Sequence, residues 1–311
     1  MPGQVERSDG AGGGGPDGRH PGGWVFGGLG MSGTVFFVVL CAAALHASWN
    51  ALVKGGADKA AAMVAVVIGQ GLAGAALLPF APPLDPACWP YLLAGLGLHL
   101  GYQLFLIQSY RFGDLTQVYP IARGVSPLLV ALGSVVVLGA EFTGLEVAAM
   151  AMISIGIASI SLVRRADGVF QAKAAGLALI TGMFIASYSL VDGQGARIGG
   201  TALGFFGVLA ALDAVVFGLC AHLIRPGMLG RALALKKHLF LGGGASFTAY
   251  VLVVWAFTQA PIALVTALRE TSIIFALVIG VTVLRERLDL AKVLATALTL
   301  TGALLLRLSR L

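Results

Sequence analysis

From Met31 onward the chain is a succession of apolar runs, each close to the roughly 20 residues that an α-helix needs to cross a hydrocarbon layer about 30 Å thick. In lipid every backbone amide must find its partner within the segment or within a closed barrel. Runs of this length, rich in Leu, Val, Ala and Ile, suit helices rather than the shorter alternating strands of a barrel. Charged residues make up 11% of the 311 and the mean hydropathy is +0.92, values that exclude an ordinary soluble domain. Ten spans are expected, near 31–53, 60–80, 89–110, 116–138, 145–163, 172–191, 201–224, 238–258, 262–284 and 290–308. The expected architecture is an all-α membrane protein with no soluble domain.

Residues 1–30, with "RSDGAGGGGPDGRHPGG", combine Gly, Pro and charge and carry too little apolar surface to fold, so a disordered tail is expected there, with Met31 an alternative start. The first apolar run is longer than the core of a signal peptide and leads into a polar cluster, which favours a retained helix. Cys41, Cys88 and Cys220 have no metal-like spacing and read as packing residues. The net charge of +6 sits mostly between spans and reads as a topology signal rather than a nucleic-acid footprint. Thirteen Lys and Arg follow the odd-numbered spans and five lie on the other side, which by the positive-inside rule places both termini outside.

The spans also repeat. "ASWNALVKGGA" from Ala47 resembles "ASYSLVDGQGA" from Ala186, and Arg123 and Arg269 stand 146 positions apart, as do Gly156 and Gly302. Two five-span halves result, 31–165 and 172–311. An odd number of spans per half obliges the second copy to enter the membrane from the opposite side, giving two inverted five-helix repeats. That framework serves many secondary transporters, whose solute site lies near the midplane between the repeats.

Three stretches, "LHASWNALVKGGADK", "GDLTQVYPIARGVSPLLVALGSVVVLGAEFTGLE" and "APIALVTALRETSIIFALVIGVTVLRERLDLAKVLATALTLTGALLL", give the chain a resemblance to the EamA family of the drug/metabolite transporter superfamily. The resemblance covers almost everything after Met31 and implies a ten-helix carrier of two EamA repeats, with termini oriented opposite to the charge count. It says nothing of the substrate. "GAEFTG" departs from the Gly-Glu-Arg-like end that the fourth span often has in the family.

Polar residues inside the apolar runs mark candidate sites. His46, Trp49 and Asn50 share one face of the first span, and His99, Tyr102, Gln103, Leu106 and Tyr110 share one face of the third. Such residues serve either as interhelical glue or as solute contacts. Arg123 lies deep in the fourth span between Pro120 and Pro127, where a cation costs about 2.5–3.5 kcal/mol unless it faces a partner or a wet cavity. The prolines point to a kink there. Its repeat mate Arg269 precedes Glu270 in the ninth span. The three form either a structural ion network or an anion site with a counter-ion that titrates. Asp213 in the seventh span is a second coupling candidate. Ser187 and Tyr188 take the places of Ser48 and Trp49 in the repeat, and Tyr250 and Trp255 add aromatic surface.

The expected solute contacts are therefore His46, Trp49, Asn50, Tyr102, Gln103, Tyr119, Arg123, Tyr188, Tyr250, Trp255 and Arg269, with Asp213 and Glu270 as coupling groups and no catalytic residue, metal or cofactor. The expected function is secondary transport, in the exporting direction, of a small polar or amphipathic metabolite by alternating access in the inner (plasma) membrane, with the bilayer and protons as partners and no nucleic acid. Monomer and homodimer both stay open. A lipid-modifying membrane enzyme is the rival class, against which stands the lack of an H-E-x-x-H motif, of a D-x-D pair and of any long loop. A channel or a scaffold that does not transport is the third class.

Overall fold

A computed structural model describes residues 31–112, 115–163, 172–283, 285 and 290–309. The tail 1–30 and Arg164, Arg165, Arg287 and Arg310 lie outside the described residues, as do the side chains of Tyr110, Arg111, Tyr119 and Lys292. Within these limits the chain is helical, without a strand: α1 (Gly33–Lys54), α2 (Lys59–Leu77), α3 (Trp89–Phe112), α4 (Leu115–Leu138), α5 (Gly144–Val163), α6 (Ala172–Gly199), α7 (Ala202–Ile224), α8 (Met228–Ala234), α9 (Gly243–Gln259), α10 (Ile262–Arg269), α11 (Ser272–Thr282) and α12 (Leu290–Leu308). Among the described residues, seven helical segments are long and apolar enough to cross a membrane, counting α10 and α11 as one stretch. Helix α3, which carries His99, Tyr102 and Gln103, is not among them.

Local chemistry sets the ends. The Ser32 hydroxyl accepts from the Val35 amide at 3.2 Å, Asp58 from Ala61 at 3.0 Å and Thr201 from Gly204 at 3.1 Å, each satisfying an amide that the first turn leaves without an internal partner. Before α5, Thr143 and Glu146 form a reciprocal capping box, the Thr143 amide donating to Glu146 Oε2 at 2.8 Å and the Glu146 amide to Thr143 Oγ1 at 3.3 Å. The turn "GAEFTGLE" thus starts a helix. Gly139 and Gly200, at φ 64° and 73°, follow α4 and α6 in the left-handed region that glycine adopts without steric cost.

Helix packing relies on missing side chains, because lipid supplies no hydrophobic drive for helices to associate and close backbone contact must provide the attraction. A Cβ on Gly69 of α2 would overlap the Leu239 carbonyl, and one on Gly74 would lie 2.8 Å from the Gly207 carbonyl of α7. Between α5 and α12 the contacts are reciprocal. A Cβ on Gly156 would meet the Ala295 carbonyl at 3.0 Å, and one on Gly302 the Ala149 carbonyl at 2.8 Å, so these helices run antiparallel. Other pairs of packed helices include α3 with α6, α1 with α9, and α4 with α6.

Two elements differ from the sequence reading. The sixth span was expected to stop near residue 191, but α6 continues to Gly199. Gly193 packs on Ile262 and Phe257, Gly195 packs on Phe205, and Arg197 donates to the carbonyls of Phe257 at 2.8 Å and Ala260 at 2.9 Å, so tertiary contacts override the weak helix propensity of "DGQG". The ninth span is broken between Arg269 and Ser272. Helix α4 contains both Pro120 and Pro127, neither of which has an amide to donate to the helix ladder.

Candidate functional site

The break in the ninth span carries the first polar group. Across Glu270 and Thr271 the backbone closes tight turns: Glu270 N–H donates to Ala267 O at 3.1 Å, Thr271 N–H to Leu268 O at 3.0 Å and Ile273 N–H to Glu270 O at 3.1 Å. The Thr271 hydroxyl adds a bond to Leu268 O at 2.7 Å. Glu270 thereby projects from the break towards α4, where Arg123 Nε donates to its Oε2 at 2.9 Å and Arg123 Nη2 stands 2.9 Å from its Oε1 as an ion pair. Arg269 stands behind the pair, its Nη2 3.9 Å from Oε1. All three are buried, at 6%, 3% and 2% exposure for Arg123, Arg269 and Glu270. Among the described residues, Nε and Nη2 of Arg269 have no hydrogen-bond partner.

His46 on α1 lies within electrostatic reach of both guanidinium groups. Trp49, itself buried, packs edge-on against the His46 ring at 5.2 Å, and Asn50 spends its amide on the His46 carbonyl at 2.7 Å. Asn50 thus stabilises its own helix.

A second polar group lies where α3 meets α6 and α7. His99 Nε2 is 2.8 Å from Asp192 Oδ2, which also accepts from the Tyr250 hydroxyl at 2.7 Å. Gln103 donates to Asp213 Oδ2 at 2.8 Å. Gly95, His99 and Gln103 recur every four residues on one face of α3. Gly95 leaves room for the acid, since a Cβ there would stand 2.9 Å from Asp192 Oδ1. Asp192 and Asp213 are buried, at 0% and 3% exposure. Among the described residues Asp192 Oδ1, Asp213 Oδ1 and Gln103 Oε1 accept no hydrogen bond.

Aromatic rings pack around the second group. Tyr188 stacks on His99 at 4.2 Å, Tyr102 meets Tyr188 edge-on at 5.7 Å, and Tyr250 meets His99 at 5.7 Å with planes at 90°. The charge of Arg269 acts on His99, Tyr188 and Tyr250, and that of Arg123 on Tyr188. Trp255 packs against the apolar core instead, and the Tyr119 side chain lies outside the described residues. Sequence reasoning missed Asp192, the acid that ties α6 to α3 and α9, and took His99 only as part of a stripe. The signal available was the helical spacing from Tyr188 to Asp192, hidden by the Gly-rich stretch that follows.

Long apolar helices around buried ions define a multi-pass membrane protein. Residues 172–308 match the model of the EamA-like transporter family. A solved structure described as "Crystal structure of protein" is similar in fold, with a TM-score of 0.70 and 19% identity over 89% of this chain and 97% of that one. The comparison with curated proteins gives no match.

Proposed function

We propose that the chain is a secondary transporter that moves a small polar or amphipathic metabolite, in the exporting direction, across the inner (plasma) membrane by alternating access between two inverted five-helix repeats, 31–165 and 172–311. The observation that carries this reading is the buried Arg123–Glu270–Arg269 group, which joins the two halves at a break in a spanning helix. Intramembrane ions are costly, and broken helices in carriers lie at solute and ion sites. The inverted relation draws support from α5 and α12. Ala149 and Ala295 stand 146 positions apart, as Gly156 and Gly302 do, so the two glycine contacts exchange under a twofold operation. The α1–α9 contact likewise mirrors that of α6 with α3. Protons are the proposed coupling ion, with Glu270 and Asp213 as the groups that carry them.

Thermal unfolding of the purified protein against amino acids, organic acids, sugars, nucleosides and cationic drugs tests this, with Arg123→Ala and Glu270→Gln beside the wild type. A solute that raises the Tm of the wild type and not of a folded variant is the expected result. Equal binding by both variants would leave the ion group a structural clamp, and no response from any solute would remove the transporter reading.

A further inference from the structure

The link between α7 and α9 joins the ends of two spanning segments, at Ile224 and His238, and so lies at the membrane surface. It leaves α7 through a tight turn in which the Met228 amide donates to the Arg225 carbonyl at 3.0 Å. Gly227, at φ 83°, is the third residue of that turn and follows Pro226, the pattern of type II. Helix α8 then lays Met228 and Ala232, one turn apart, into the apolar cluster that includes Val64 and Ala65 of α2 and Phe217 of α7. What faces outward is basic. Arg225, Arg231, Lys236 and Lys237 are all exposed, and the sequence from Ala214 to Arg269 holds no acid. Arg231 Nε stands 3.8 Å from Asp58 Oδ2 at the start of α2, while Arg225, Lys236 and Lys237 form no ion pair among the described residues.

Apolar side chains border these cations. Leu223 and Ile224, 70% and 67% exposed, directly precede Arg225, and Phe240 and Leu241, each 64% exposed, lie just beyond Lys237. A soluble polyanion has nothing to set against them. An anionic phospholipid offers a phosphate to the cations and an acyl chain to the apolar surface beside them. We propose that the corner formed by α7, α8 and α9 binds anionic phospholipid headgroups through Arg225, Lys236 and Lys237, with the charge of Arg231 offset in part by Asp58. The inference goes beyond transport and does not rest on it. Because α8 is docked on α2 and α7, the cations are already held at this surface, and little ordering of the chain opposes lipid binding. Each cation close to an anionic leaflet contributes about fivefold in affinity.

The test follows the Tm of the full chain in dodecylmaltoside micelles titrated with dioleoylphosphatidylglycerol, with dioleoylphosphatidylcholine or with inorganic phosphate. Phosphatidylglycerol is expected to raise the Tm where the zwitterionic lipid and free phosphate do not, and added salt should weaken the response. Arg225→Gln, Lys236→Gln and Lys237→Gln combined should raise the concentration needed for a half-maximal shift by about fivefold for each cation removed. Lys173→Gln with Arg285→Gln removes charge at the same end of the bundle but outside this link, and should leave that concentration unchanged. Should the triple variant not fold, Lys236→Gln alone decides by the same fivefold measure. No response to phosphatidylglycerol, phosphatidylcholine or phosphate acting as well as it does, an unchanged response in the folded variant, or an equal loss per cation in the control pair would overturn the proposal.

Discussion

Glu270 holds two guanidinium groups where water is scarce, and the cost of losing it follows from what stays behind. Glu270→Gln removes the carboxylate that both buried guanidinium groups face, a loss of about 3–5 kcal/mol in stability. Combining it with Arg123→Met should cost less than the two single changes added together, since both remove the same ion pair; chemical denaturation of all four proteins measures that coupling. Tyr250→Phe keeps the ring and deletes one bond to a buried carboxylate, so it should cost about 1.5–3 kcal/mol, and a loss near zero in the same assay would remove that bond from the account. Arg123, Arg269, Glu270 and Asp213 were legible in the sequence because each interrupts an apolar run. Asp192 was not, since the glycines and Gln194 after it read as a loop until their packing against other helices becomes visible.

Helices in this molecule meet through glycine. Gly69→Ala would push a methyl group into the Leu239 carbonyl, and because backbone cannot rotate away as a side chain does, the expected loss is about 1–3 kcal/mol or more. Gly97→Ala, on an exposed face of α3 with nothing within 4 Å, should leave stability unchanged or slightly improved. Unfolding midpoints of the two variants in one detergent check the contrast, and equal effects would contradict it. The existence of the helices was legible because length and apolar content set them. The break at Glu270–Thr271 was not, because "RETS" holds neither Gly nor Pro. The tight turns there go with the fork between Glu270 and Arg123, a contact 147 positions away in sequence.

At the scale of the whole molecule, the proposed twofold likeness of the halves does not extend to their buried polar residues. Asp192, Asp213 and Glu270 all come from the second half, whereas the first brings His46, His99, Gln103 and Arg123, so each polar group exists only where the halves meet. If the halves rock against one another, that layer opens to each side of the membrane in turn. The most direct measurement places a cysteine there as Tyr102→Cys, in a chain whose Cys41, Cys88 and Cys220 are replaced, and treats sealed vesicles of either orientation with a charged thiol reagent that does not cross lipid. Alternating access requires labelling from both sides while the vesicles stay tight to the reagent. Labelling from one side only, from neither, or with leakage through the protein would contradict it.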